Sequence, residues 1–148
     1  MKSTKLLNFA MAVLLLVSCS KGDEDVDYAK SVSGSYTGSL IMSVMGSSDT
    51  TECTMVEVIR ESVNRVSVTL PAYGEGRMSL PSMVVGGVTV AQSGGSYLLS
   101  KGEYGLTHDS TYYSGNLSGI VYGGKLKLDY TCRPGAMPMA INFSFVQD

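Results

Sequence analysis

The chain has 148 residues, with 11 Lys and Arg against 13 Asp and Glu, one His, three Cys, 17 Gly and no Trp. That length holds one domain, and a net charge of -2 offers no basic field able to hold a phosphate backbone, which argues against nucleic acid as a partner. Hydrophobic residues make up 44%, with nine Tyr and three Phe among them, so the composition of a disordered chain is excluded too. In chain order, residues 1–18 read as an address to be set apart from the fold. Lys2 and Lys5 form a positive opening, and residues 6–17 are apolar except for Asn8. That run is too short to cross a bilayer as a stable helix, which takes about 18 residues or more.

The run stops at Leu16-Val17-Ser18-Cys19, which resembles the lipobox of bacterial lipoprotein signal peptides. The resemblance implies cleavage before Cys19 and lipidation of its thiol; a plain secretory signal with a chance cysteine, or a buried N-terminal helix, are the alternatives. Two or three acyl chains would anchor the protein stably where one would not. Residues 19–31 are then expected to be a lipidated Cys and an acidic, flexible tether, since Asp23, Glu24, Asp25 and Asp27 repel one another. Ser20-Lys21-Gly22-Asp23-Glu24-Asp25 is also similar to the acidic export signal of surface lipoproteins of the Bacteroidetes, although a spacer without sorting content has the same composition. Residues 32–148 remain for a folded domain.

That domain reads as short strands separated by Gly, Ser, Asn and Asp, and no segment keeps a helical period for three turns. Residues 36–44 place Tyr36, Leu40, Met42 and Val44 on one face. Residues 51–60 form a second strand of ambiguous phase, because Val56 and Val58 oppose Met55 and Ile59. Residues 65–70 follow with Val66, Val68 and Leu70 on one side, and then short strands at 78–80 and 84–92 with a bulge or corner at Gly86-Gly87. Residues 96–100 and 112–122 come next, the latter carrying Tyr113, Leu117 and Val121 on one face. Gly123-Gly124 suits a two-residue primed turn into residues 125–132, where Leu126, Leu128 and Tyr130 alternate with Lys127, Asp129 and Thr131. The last strand, 139–146, turns Ile141, Phe143 and Phe145 inward. About eight strands are best accommodated by closure into an antiparallel barrel, which leaves no exposed edge. The predicted interior therefore contains Tyr36, Leu40, Met42, Leu117, Leu126, Leu128, Ile141, Phe143 and Phe145.

Several segments, namely Tyr36-Thr37-Gly38-Ser39-Leu40, Val44-Met45-Gly46, Gly87-Val88-Thr89-Val90 and above all Pro134-Gly135-Ala136-Met137-Pro138-Met139, resemble the calycin-like lipoproteins of Bacteroidetes. The resemblance spans residues 34–146 and implies an all-β, eight-stranded lipocalin-like barrel with no catalytic residues to carry over. True lipocalins open their first strand with Gly-x-Trp, whereas this chain has Gly34-Ser35-Tyr36. The ring at the barrel floor is kept, but the link to lipocalin ligand chemistry is weaker.

No catalytic constellation assembles from the sequence. His108 has no second His and no clustered carboxylates, which argues against a metal or a catalytic role. Asp109 and Ser110 are its immediate neighbours and cannot converge with it from separate elements as a triad must. No phosphate-binding glycine loop is present. Met137 and Met139 have the spacing of a soft Cu(I) site, but adaptable core filler is the better reading. Cys53 and Cys132 could form a disulfide in an exported protein, yet they fall on strands that are not neighbours in an up-and-down barrel, so two free, buried thiols are expected. Asp49-Thr50-Thr51 and Asp109-Ser110-Thr111 resemble the short O-glycosylation acceptor of exported Bacteroides proteins.

These readings lead to a non-enzymatic lipoprotein, lipid-anchored in the outer membrane through Cys19 and exposed at the cell surface, with no cofactor and no metal. Two modes of action follow from them. The barrel binds a small apolar ligand in its interior, or it is a solid scaffold whose Ser-, Gly- and Tyr-rich loops meet another protein or a glycan. A continuous apolar cavity of about 300 Å³ or more would favour the first and a filled core the second.

Overall fold

The structure is a computed structural model that describes residues 27–74, 79–136 and 139–148. A helical turn, α1 (Tyr28–Val32), precedes eight strands: β1 (Gly34–Val44), β2 (Ser47–Ser62), β3 (Arg65–Leu70), β4 (Met83–Ser93), β5 (Ser96–His108), β6 (Thr111–Tyr122), β7 (Lys125–Pro134) and β8 (Ile141–Gln147). Each strand pairs antiparallel with the next, and β8 returns to β1, closing an eight-stranded barrel as the strand pattern predicts. The signal segment and Cys19 lie outside the described residues.

Period-two patterning sorts the side chains. On β7, Leu126, Leu128, Tyr130 and Cys132 are buried, and Lys125, Lys127 and Asp129 between them are exposed. On β2 the phase resolves with Val56 and Val58 inward and Met55 and Ile59 outward. Gly123 and Gly124 turn β6 into β7 with φ of 60° and 79°, the left-handed pair that a primed turn demands. The Gly86-Gly87 corner is a register shift opposite Val66–Val68, and it lets β4 bend round the barrel.

Four expectations need correction. The fifth strand runs to His108 and does not stop at residue 100, because a register shift between Ser100 and Gly102 inverts its phase: Leu99 points inward before the shift and Tyr104 after it. His108 consequently ends a strand and is not in a loop. The last strand begins at Ile141, two residues later than expected, which leaves Met139 outside it. The short strand at 78–80 is, in its described part, an isolated bridge between Tyr73 and Leu80.

The fourth correction concerns the tether, whose described part is ordered. Asp27 caps α1 by accepting from the Lys30 backbone N–H at 2.9 Å, and its second oxygen takes the Arg60 Nε–H at 2.7 Å. The turn is sewn to the barrel where the Ala29 N–H donates to the Val63 carbonyl at 3.0 Å. Ala29 and Val32 are fully shielded, so the apolar content of Tyr28–Val32, which the acidic neighbours obscure in the sequence, makes a plug for one end of the barrel. The Tyr36 hydroxyl donates to the Val32 carbonyl at 2.5 Å and holds that plug from below.

Inside, Leu40, Leu128 and Phe145 are completely shielded, and Tyr36, Leu117, Leu126 and Phe143 are buried with them. Met42 and Ile141 are half-buried against the same core. Phe143 stacks on Tyr130 with ring centroids 4.9 Å apart, and Tyr73 from the β3–β4 connection meets it edge-on at 5.4 Å. The Tyr73 hydroxyl donates to Asp49 Oδ2 at 3.0 Å, which fixes that connection over the end opposite α1.

Truncation of Phe143 to Ala should destabilise the barrel by about 3 to 5 kcal/mol, whereas Asn142→Ala on the outer wall should change stability by only about 0.5 kcal/mol in thermal or denaturant melts. The Asp27 latch also makes stability depend on pH. The Lys30 backbone N–H, and then Arg60, hold the Asp27 carboxyl below its ordinary value of 3.8. A carboxyl depressed on folding contributes its full stabilisation above that ordinary value and loses it as pH falls through the lower folded-state value. The melting temperature of Asp27→Asn should therefore lie below that of the natural chain at pH 7, and the two should converge in acid.

Candidate functional site

The residues that sequence chemistry singles out do not converge. His108 Nε2 lies 3.3 Å from Asp109 Oδ2, with the two side chains 45% and 91% exposed, an adjacent surface pair where β5 ends and the turn begins. Among the described residues no group of three or more His, Cys, Asp or Glu side chains is arranged to hold a metal ion. Met139 is exposed on the connection before β8 and is not core filler, and Met137 lies outside the described residues.

The two cysteines are unpaired and differ in setting. Cys132 is fully shielded on the inner face of β7, but Cys53 is exposed, which corrects the expectation of two buried thiols. Cys53 falls in the outward set with Met55 and Ile59, beside a register shift opposite Gly38–Leu40 that puts an extra residue into β2, and it takes a φ of 57° there. Burial pushes the Cys132 thiol up, with the Tyr104 hydroxyl pulling the other way. Burial likewise raises Tyr104 and Tyr130, reinforced by Cys132 nearby, so all three groups stay protonated and neutral near neutral pH.

The prominent concavity is on the outside. A trough of about 570 Å³ crosses five adjacent strands in the order β1, β8, β7, β6, β5. Two cross-strand rows build it. In the first, Ile41 faces Ser144, Ser144 faces Asp129, Asp129 faces Ser118 and Ser118 faces Ser100. In the second, Ser43 faces Asn142 and Asn142 faces Thr131, while the Asn116 backbone N–H reaches Thr131 Oγ1 at 2.9 Å. The next row along the strands is bulky, Val146, Lys127, Ile120 and Leu98 in register, and stands as a ridge beside the two low rows. On the other side Arg133 and Ala140 border a second concavity of about 190 Å³ that shares Asn116 and Thr131 with the trough.

The trough floor is shaped from below. The Tyr104 hydroxyl, inside the barrel, donates to the Thr131 carbonyl at 2.6 Å. A Cβ on Gly115 would come within 2.0 Å of that same carbonyl, so only glycine fits the close approach of β6 to β7 there. Among the described residues the side chains of Ser43, Ser100, Asn116, Ser118, Asp129, Asn142 and Ser144 make no hydrogen bond or ion pair within the chain. Their donors and acceptors face the trough or solvent. These residues are wet positions of β1, β5, β6, β7 and β8; what the sequence leaves unread is that the five strands line up their small side chains in two adjoining rows.

The Calycin-like beta-barrel domain family matches residues 32–148. The chain belongs to this family. A solved structure with the same architecture is that of a candidate outer membrane protein from Bacteroides fragilis, at a TM-score of 0.69 and 25% identity. The match covers 83% of this calycin-like chain and 53% of that protein, so the chain spans about half the length of its structural counterpart. No curated protein matches it.

The contrast between the thiols is open to a labelling experiment. A maleimide should modify Cys53 in the native protein, and Cys132 should react only after denaturant unfolds the barrel; in Cys53→Ser, rapid modification of Cys132 without denaturant would contradict its burial.

Proposed function

We propose that this calycin-like chain is a non-catalytic lipoprotein of the outer-membrane surface, anchored through Cys19, whose solid barrel binds its target on the outer wall. The packing of the lumen carries this reading. Phe145, Leu40 and Leu128 fill the barrel's interior with no exposure, α1 plugs one end, and Tyr73 lies against Phe143 toward the other. The trough, with a volume in the range of ligand sites, is lined mostly by outward-facing residues of β1 and β5–β8, with the inward residues Leu117, Tyr130 and Phe143 also contributing to its lining. Of the two modes of action, the solid scaffold is therefore the better supported, with the wall in the place of the loops.

The lipobox at Cys19, the acids that follow it and the likeness to a candidate outer membrane protein all support the location. An enzymatic role has no comparable support, since among the described residues the ionisable partner of His108 is its exposed neighbour Asp109. Reaction chemistry needs an acid, a base or a nucleophile held in mutual reach.

Two measurements test the reading. Cys19→Ala should shift the protein from the membrane fraction to the soluble one, and unchanged fractionation would refute the anchor. Titration with the apolar dye N-phenyl-1-naphthylamine should give no saturable fluorescence rise. Saturable binding abolished by Met42→Trp, which adds bulk inside the barrel at a residue that does not line the trough, would place a ligand site in the lumen and reverse the assignment.

A further inference from the structure

We infer that the outer-wall trough is a binding site for a neutral oligosaccharide. This rests on the reading that the wall is the binding surface, and it adds the chemical class of the ligand. Three properties of the trough select that class: its shape, its hydrogen-bonding inventory and its charge.

The shape is elongated. Five strands at about 4.8 Å spacing make a track of about 19 Å, and two rows of alternate residues make it about 7 Å wide. An extended chain molecule fits such a track. A peptide added as a β-strand is disfavoured, because that mode needs a free sheet edge and the barrel has none.

The inventory is that of a polyol partner. Asp129 stands between Ser144 and Ser118, and beside them Thr131, whose hydroxyl accepts the Asn116 backbone N–H, stands opposite Asn142. A carboxylate accepts from two adjacent sugar hydroxyls at once, while the side-chain amides and hydroxyls both donate and accept. Most of the remaining trough surface is carbon, Ile41 included, which suits the C–H faces of sugar rings. An acyl chain would leave these polar groups desolvated without partners, a loss of about 1 to 3 kcal/mol for each.

The charge excludes the other extended polymers. Asp129 is the one ionised side chain among those lining the trough, and no Lys or Arg lines it. A phosphate backbone lying in the trough would meet that carboxylate, since the flanking cations, Lys127 on the ridge and Arg133 beyond the other border, stand outside the lining. Sulfated or uronic-acid glycans are disfavoured for the same reason. Neutral sugars remain.

The experiment is an amide chemical-shift titration of the full chain with cellotetraose, maltotetraose and mannotetraose. The expected result is saturable shifts at Ser144, Asp129, Ser118 and Asn142 with at least one of the three, and none at Asp49 or Asp109 at one end of the barrel. Ser118→Trp, which fills the trough from an exposed position, should weaken binding about tenfold or more, and Thr37→Trp, exposed elsewhere on β1, should not. Asp129→Asn, which is nearly isosteric, should weaken binding without altering the melting temperature, so a loss of fold cannot imitate the effect. No saturable shift with any of the three sugars, or shifts untouched by Ser118→Trp and Asp129→Asn, would overturn the inference. Capture of a protein at the trough with no sugar response would also overturn it while leaving the wall as the binding surface. Saturable entry of the dye into the lumen would instead refute the underlying reading.

Discussion

Everything in this molecule depends on the pairing of β8 with β1. Leu40 sits opposite Phe145 and Met42 opposite Phe143, so the pairing that satisfies the last free backbone edge also brings together Phe145 and Leu40, the largest of the fully shielded side chains. An open eight-stranded sheet of this sequence would present two rows of unpaired N–H and C=O groups and an apolar face. Closure removes both liabilities at once. It also fixes the diameter, and a barrel of eight strands has an interior that its own side chains can fill.

A filled interior changes what the fold can be used for. Barrels of this kind can also hold a ligand in a cup, with the wall serving as a container. Here the mouth beside β1 is blocked by α1, and the Tyr36 hydroxyl, in the place where lipocalins have Trp, is occupied in holding that plug. The available concave surface moves outward, onto the face where five strands carry short side chains beside the taller row of Val146, Lys127, Ile120 and Leu98. The wall is stiff because its floor is a hydrogen-bonded ladder, and a rigid scaffold loses little entropy when it binds.

Much of this architecture was legible in the residues. The alternation in 125–132, the Gly123-Gly124 turn and the inward set Ile141, Phe143 and Phe145 specify strand, turn and register with local physics alone. The failures have local causes as well. The register shift at Ser100/Gly102 inserts a residue and inverts the phase, so the continuation of β5 contradicts simple period-two reading. Cys53 was misplaced because the phase of β2 is ambiguous until Val56 and Val58 are known to point inward, which puts Cys53 outward with Met55 and Ile59. The helical turn at Tyr28–Val32 is too short to show a period, and four acids just before it give the segment the composition of a tether. The trough was illegible for another reason. It is a property of the lateral alignment of strands, and Ser144, Asp129 and Ser118 become neighbours only once the pairing is known.

Thr131 links the two surfaces of the barrel. Its hydroxyl takes the Asn116 backbone N–H on the outside, its carbonyl takes the Tyr104 hydroxyl from the inside, and Gly115 leaves the space that lets both occur. A single residue thus transmits the packing of the lumen to the floor of the trough. The core and the wall cannot be redesigned independently there: an engineer who replaces Tyr104 to improve packing would also release the carbonyl that shapes the outer surface, and a change meant for stability would become a change in recognition.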